Sequence, residues 1–197
     1  MEAIYNFDWS VFQWVSEHLW NPFLDVVMSV ISVTGEAGLL WIALGIVLVC
    51  FKKTRKAGLM MFAALIFMQV VNNMVLKPII ARPRPFNYEP WKDFFVYPNI
   101  GFKKPGSLSF PSGHTSSSVA CATVLLIKHK KIGIPSAIYA LLMGFSRIYL
   151  FDHYPTDVLG GLLVGIVYGL VGVLIVNLIY KAIEKKKGGL PSLLRES

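Results

Sequence analysis

The sequence predicts an all-α integral membrane bundle of six transmembrane helices, preceded by an N-terminal interfacial helix. Hydrophobic residues make up 55% of the 197 residues, charged residues make up only 15%, and the mean hydropathy is +0.58. This composition is more apolar than that of soluble domains. Both cysteines lie in apolar stretches, so neither a disulfide framework nor a zinc site is predicted.

The interfacial helix is predicted over residues 8–20. Asp8 is a candidate N-cap, and Asn21-Pro22 is a stop signal. The pattern is typical of a helix that lies in the membrane interface, and equally of an amphipathic helix packed on the bundle. The apolar residues at helical spacing are Val11, Phe12, Val15 and Leu19.

Six apolar stretches follow, and a bilayer crossing takes about 20 residues. Residues 23–33 are short for a crossing and contain Asp25, so this helix either extends backward or meets a tilted neighbour. We expect one membrane domain over residues 1–187 and a short cytoplasmic tail over residues 188–197. The five stretches interpreted as full spans are residues 37–51, 57–76, 115–127, 132–150 and 158–183.

Lysine and arginine residues predict the orientation. They fill two links between spans and the end of the last helix, namely residues 52–56, 128–131 and 181–187. By the positive-inside rule these regions, and with them both termini, are cytoplasmic. The outer face then consists of residues 34–36, 78–113 and 151–156. The long outer connection also carries basic residues, and a site for an anionic substrate would account for them.

Three motifs that are far apart in sequence fall together on this outer face. They are Lys77 with Arg84-Pro85, then Pro111-Ser112-Gly113-His114, then Ser146-Arg147 with His153 and Asp157. Together they supply positive charge, a nucleophile, a proton donor and an orienting carboxylate. This set is what cleavage of a phosphate ester needs when no metal takes part.

The basic residues of these motifs are candidates for binding phosphate, because phosphoryl transfer places negative charge on the equatorial oxygens. Each also has a structural alternative. Lys77 could snorkel from a helix end, Arg84 could be a loop charge, and Arg147 could pair with Asp152. Arg147 lies near the outer end of an apolar helix, where a charge costs about 2.5 to 3.5 kcal/mol and is usually functional.

The remaining motif residues have two interpretations each. Ser112 could simply cap a helix, or could bind an anion together with the Gly113 amide at the helix N-terminus. His114 could protonate a leaving oxygen or be an exposed histidine without a role. Asp157 lies one turn after His153 and could accept a hydrogen bond from one ring nitrogen, which leaves the other free to attack. Spacing alone would allow the two histidines to exchange roles.

The three motifs resemble the complete signature of the type 2 phosphatidic acid phosphatase superfamily, at every position between Lys77 and Asp157. The resemblance implies that His153 is the nucleophile and forms a phosphohistidine, that His114 is the general acid and then the general base, and that Asp157 orients His153. The residues it assigns to the substrate phosphate are Lys77, Arg84, Ser112, Gly113 and Arg147. It implies a hydrolase that needs no metal and no other cofactor.

Within this superfamily, the compact size and outer site resemble the bacterial undecaprenyl diphosphate phosphatases. The expected reaction is hydrolysis of undecaprenyl diphosphate to undecaprenyl phosphate in the cell membrane. Phosphatidylglycerophosphate and phosphatidic acid are rival substrates, because nothing in the signature reads the lipid tail. A protein of another class, an inactive lipid-phosphate binding or transport protein, would keep the pocket without turnover. The expected partners are the lipid substrate and the bilayer, without nucleic acid, and the chain is expected to be a monomer or homodimer.

Three further features have open interpretations. The aromatic-rich segment 86–110 is either an interfacial lid or a loop packed on the bundle. Arg82 either aids anion capture or lines the mouth of the site. Asn72 is expected to form interhelical hydrogen bonds. Glycines recur every fourth residue in the last helix, and they serve packing within the monomer or a dimer interface: Gly161, Gly165 and Gly169.

Overall fold

The computed structural model describes residues 2–88, 90–91 and 108–187, and these residues confirm the all-helical class. The helices are α1 (Glu2–His18), α2 (Pro22–Thr34), α3 (Leu39–Cys50), α4 (Arg55–Met68), α5 (Lys77–Ile80), α6 (Gly113–Lys128), α7 (Lys130–Tyr149) and α8 (Pro155–Lys187). A π-helical segment, Gln69–Leu76, joins α4 to α5 without a break. The tail predicted over residues 188–197 lies outside the described residues.

Helix α6 forms the centre of the bundle and packs against α4, α7 and α8. Its small side chains let α8 approach closely. A Cβ atom added at Gly165 would lie 2.9 Å from the Ser116 carbonyl oxygen, and one at Gly169 would lie 2.7 Å from that of Ala120. The glycines of α8 therefore serve packing within the monomer, which is one of the two interpretations left open by their spacing.

Asn72 provides a polar connection in the same core, as predicted. It is fully buried in the π-helical segment, donates to Ser116 Oγ at 3.1 Å and accepts from the Tyr168 hydroxyl at 2.7 Å. These two bonds join the span before the site to α6 and α8.

The predicted count of six separate spans is not confirmed. Three helical stretches are long and apolar enough to cross a membrane, at Arg55–Ile80, Lys130–Tyr149 and Pro155–Lys185. Helices α2 and α3 pass the same test only together, as a pair bent by 45°. The central helix α6 has 16 residues and is shorter than a full crossing.

A bend between α2 and α3 explains why two predicted spans are one bent pair in the structure. Ala37 and Gly38 adopt positive φ angles of 50° and 71°, which interrupts the helix without reversing it. At the level of the sequence, the polar residues of 34–36 cannot be distinguished from a turn at a membrane surface. Whether this segment faces the outer side of a membrane stays a prediction.

Helix α1 begins at Glu2, six residues before the predicted start, and Asp8 is not its N-cap. Asp8 is fully buried in the middle of the helix and accepts a hydrogen bond from the Thr156 amide of α8 at 2.9 Å. The helix packs on the bundle through the face that carries Asp8, Phe12 and Val15. Large apolar side chains of this helix are also exposed: Ile4, Phe7 and Trp14.

Helix α1 thus lies at the start of α8, whereas α8 runs 33 residues, about 50 Å, away from this end. The N-terminal helix and the end of α8 therefore occupy opposite ends of the bundle. The side of a membrane on which each terminus lies stays a prediction.

Candidate active site

The three predicted motifs meet at the end of the bundle that carries α1. Lys77 opens α5, Arg84 follows it, His114 lies in the first turn of α6, and Arg147 lies in the last turn of α7. His153 lies in the tight turn between α7 and α8. That turn is closed by the Arg147 carbonyl, which accepts from the Asp152 and His153 amides, both at 3.1 Å.

The His153 ring is held in one tautomer. Arg84 Nη1 lies 2.8 Å from His153 Nε2 and also donates to the Asp152 carbonyl at 2.7 Å. A guanidinium can only donate, so Nε2 carries the lone pair and Nδ1 carries the proton. Nδ1 lies 3.4 Å from Asp157 Oδ2, as the four-residue spacing predicts.

The Asp157 carboxylate is fully buried and bonded through both oxygens. Oδ2 accepts from the Tyr154 amide at 3.0 Å and from the Ser109 hydroxyl, and Oδ1 accepts from Arg82 Nη1 at 2.7 Å. These donors hold the carboxylate beside the His153 ring and keep it from rotating.

Burial of His153 lowers its pKa well below 6.5, and the positive charges of Arg84, Arg147 and Lys77 lower it further. The ring is only 1% exposed. His153 is consequently neutral at physiological pH, which is the state that a nucleophilic imidazole needs.

Arg147 can pair with Asp152 and still bind an anion. Its Nη2 lies 2.6 Å from Asp152 Oδ2, so the predicted pairing with Asp152 exists, and its Nη1 donates to Ser32 Oγ. Its Nε is buried and has no hydrogen-bond partner among the described residues. Buried N–H groups are almost always bonded, so this one is available to an anion.

The other side of the site is formed by His114, Lys77 and Gly113. His114 Nε2 is also buried without a hydrogen bond in the described part of the chain, and Glu36 Oε2 is the nearest carboxylate oxygen, at 3.7 Å. Among the described residues, a Cβ atom at Gly113 would have only Lys77 Nζ within 4 Å, at 3.9 Å. Glycine therefore leaves open space between the lysine and the N-terminus of α6.

The cationic side chains surround His114. Lys77, Arg84 and Arg147 all lie close enough for their charges to act on its ring. The structure thus brings together the residues that the motifs placed on three distant segments. A cluster of fixed donors and positive charge around two imidazoles suits an oxyanion.

Ser112 acts as the N-cap of α6. Its Oγ accepts from the Thr115 amide at 3.4 Å and from the Thr115 hydroxyl at 3.0 Å, and its own amide donates to the Asp157 carbonyl at 3.1 Å. The capping interpretation is therefore observed, and the last bond ties the start of α6 to the start of α8.

Three residues of the site were not predicted from the motifs: Asp8, Arg82 and Ser109. Arg82 lies between two carboxylates, Asp157 and Asp8. Burial lowers the pKa of Arg82, but these two carboxylates outweigh burial and raise it overall. A signal for Asp8 exists in the sequence, since it shares a helical face with Phe12 and Val15, and an acidic residue on a buried face calls for a cation.

The segment around 86–110 can be placed only in part. Trp91 packs against Trp9 and Phe12 of α1, with ring centroids 5.0 and 6.1 Å apart, and against Tyr154. Residues 89 and 92–107 lie outside the described residues, so the choice between a lid and a packed loop stays a prediction. In the described ranges, no three side chains of the His, Cys, Asp or Glu type are grouped so as to hold a metal ion.

Comparison with known proteins gives consistent matches. Residues 53–181 match the family model of the PAP2 superfamily. The chain is 33% identical over 155 residues to undecaprenyl-diphosphatase BcrC of Bacillus subtilis, which covers 77% of this chain and 74% of the relative.

Two solved structures are similar over most of their length. LpxE of Aquifex aeolicus has a TM-score of 0.68 and 28% identity, covering 84% of this chain and 93% of the other. The transmembrane PAP2 type phosphatidylglycerolphosphate phosphatase of Bacillus subtilis has a TM-score of 0.68 and 27% identity, covering 95% and 90%.

Proposed function

Because this chain belongs to the PAP2 superfamily, we propose that it is an integral membrane phosphatase that removes the terminal phosphate of a lipid phosphate or diphosphate. The observation that carries the proposal is the state of His153. It is buried and neutral, its proton lies on Nδ1 facing Asp157, and its Nε2 lone pair faces the cationic cluster. This arrangement matches the logic of a nucleophile that is oriented by a carboxylate.

The proposed reaction has two steps. The substrate phosphate displaces Arg84 from His153 Nε2 and takes its hydrogen bonds from Arg84, Arg147 Nε and Lys77. His153 Nε2 then forms a bond to phosphorus while the bond from phosphorus to the lipid oxygen breaks, and His114 gives that oxygen a proton. In the second step His114 takes a proton from water, which attacks phosphorus, releases inorganic phosphate and restores His153.

Ser112 and Gly113 contribute at the N-terminus of α6 in this proposal. The open space beside Gly113 lets a phosphate oxygen approach the first amides of the helix, where the helix dipole favours an anion. The Ser112 hydroxyl, which already accepts two bonds, has its own proton to donate.

Undecaprenyl diphosphate is the substrate we favour, because the Bacillus subtilis relative with that activity in its name matches over 155 residues. Phosphatidylglycerophosphate is the second candidate. The solved structure of a phosphatase with that name covers 95% of this chain. Phosphatidic acid remains a third.

We propose that the site faces the extracytoplasmic side of the cell membrane. Lys56 contacts the Tyr180 ring at 4.9 Å, so the basic links lie at the bundle end opposite the site, where the positive-inside rule places the cytoplasm. Helix α1 is then extracytoplasmic and the end of α8 cytoplasmic. We also propose that residues 1–187 act as one domain and as a monomer, since one chain supplies every residue of the site.

The test is release of inorganic phosphate by the purified protein in detergent. The three lipids are compared by kcat/KM, with His153→Ala as the inactive control. We expect turnover that the variant abolishes and a preference for undecaprenyl diphosphate. Binding of all three lipids without phosphate release would instead support the inactive binding or transport protein. Full activity of a folded His153→Ala variant would remove His153 as the nucleophile.

A further inference from the structure

Helix α1 contains a buried charge that its packing does not explain. Asp8 has no exposed surface, although its helix lies at the periphery of the bundle. A buried carboxylate is expensive unless it is paired and fully bonded. Asp8 is fully bonded, since it accepts from the Thr156 amide at 2.9 Å, from the Thr156 hydroxyl at 2.8 Å and from Arg82 Nη2 at 2.6 Å.

Arg82 connects this carboxylate to the site. One guanidinium nitrogen binds Asp8 and the other binds Asp157 Oδ1 at 2.7 Å. The Tyr154 ring lies 3.7 Å from the Arg82 guanidinium carbon and the Tyr5 ring lies 5.0 Å from it. Both rings restrict the planar guanidinium to one orientation, so it bridges the two carboxylates rigidly.

The net charge of Asp8, Arg82 and Asp157 determines the electrostatic environment of the His153 ring. Two carboxylates and one guanidinium carry a net charge of −1. If Asp8 were absent, Arg82 would neutralise Asp157, and His153 would face a neutral pair. The imidazole gains positive charge when it bonds to phosphorus, and a neighbouring negative charge stabilises that state.

We infer that Asp8 and Arg82 are positioning residues for the reaction, and that Asp8 keeps the negative charge of Asp157 available to His153. This inference rests on the proposed function. Neither residue needs to touch the substrate. Helix α1 then belongs to the catalytic assembly, although it lies outside the three motifs.

The first variant is Asp8→Asn, which keeps the shape and removes the charge. Loss of such outer partners typically costs about 10- to 100-fold in activity, so we expect a fall of that size in kcat with little change in KM. Asp25→Asn is the matched control, because Asp25 accepts from the Tyr149 hydroxyl at 2.6 Å on another helix pair. The control should keep the kcat of the wild type.

The second variant distinguishes an effect of charge from an effect of lost contacts. Asp8→Asn combined with Arg82→Gln removes one negative and one positive charge and restores the net −1 on Asp157. We expect its kcat to exceed that of Asp8→Asn by at least about fivefold, as a double-mutant cycle with strong coupling. A purely structural role predicts the opposite, because the double variant loses more contacts.

The outcomes distinguish this inference from the proposed function. Wild-type kcat in a folded Asp8→Asn protein, or a double variant slower than Asp8→Asn, overturns the inference while His153→Ala remains inactive. An active His153→Ala protein overturns the proposed function instead. If Asp8→Asn does not fold, the double variant decides alone. A kcat of the double variant within about tenfold of wild type supports the charge argument, and a kcat as low as that of His153→Ala refutes it.

Discussion

Removal of Asp152 should destabilise the protein and make its stability depend on phosphate. The Arg147–Asp152 pair is 2.6 Å apart, and both side chains are only 5% exposed. Deleting one partner of a buried pair costs about 3 to 5 kcal/mol, because the other charge is left uncompensated. For a chain of this size that corresponds to a fall in Tm of roughly 6 to 20 °C.

An anion in the site should reverse part of this loss. In Asp152→Ala, inorganic phosphate or vanadate can replace the missing carboxylate beside Arg147. Binding to the folded state alone adds about 2.7 kcal/mol of stability at 100 times the Kd. The wild type should respond less, since Asp152 already compensates Arg147.

The assay is thermal unfolding in detergent, with and without phosphate, for the wild type, Asp152→Ala and Asp25→Ala. Asp25 bonds a neutral tyrosine, so its loss should cost less and should show no added response to phosphate. The reasoning fails if Asp152→Ala unfolds at the wild-type temperature. It also fails if phosphate raises the Tm of both proteins equally.

Three other predictions concern the chemistry and the packing. Because the pKa of His153 is lowered, His153 should become protonated only well below pH 6.5. The acid limb of the kcat/KM profile should therefore also lie well below pH 6.5, and a limb at or above 6.5 would contradict this. By the same linkage the unfolded chain binds more protons than the folded one below about pH 6.5, so the free energy of unfolding should fall as the pH drops from there. Phosphate release should survive chelators and be blocked by vanadate, and loss of activity with EDTA that a divalent metal restores would redirect the mechanism. Gly165→Leu should force α6 from α8 and lower kcat about 100-fold, whereas Leu163→Ala on the exposed face should leave the rate unchanged.

The arrangement of the site residues was largely predictable from the sequence, because the motifs have fixed local geometry. The four-residue spacing from His153, just before α8, to Asp157 in the first turn of α8 is an example, and the structure brings the two together. Ser112 at the start of α6 is another, since capping follows from residue type and position. The family resemblance extended these local patterns to one common site.

The path of the chain was less predictable, because hydropathy measures length and polarity but not direction. The polar residues at 34–36 are equally compatible with a surface turn and with a bend between two helices. Only the packing of α2 along α7 decides between them. Asp8 was misassigned for a similar reason. A cap and a buried ion-pair partner are the same residue type, and its partner Arg82 is 74 positions away.

The contact between α6 and α8 has a consequence for how specificity can change. The proposed general acid stands on one of these helices and the proposed orienting carboxylate on the other, and the glycines of α8 let the two helices approach closely. The spacing of these two groups is thus insulated from the outer helices other than α1 and from the loops that carry no residue of the site. Substitutions there can change which headgroup or tail is accepted, while the residues proposed to break the phosphorus–oxygen bond keep their positions.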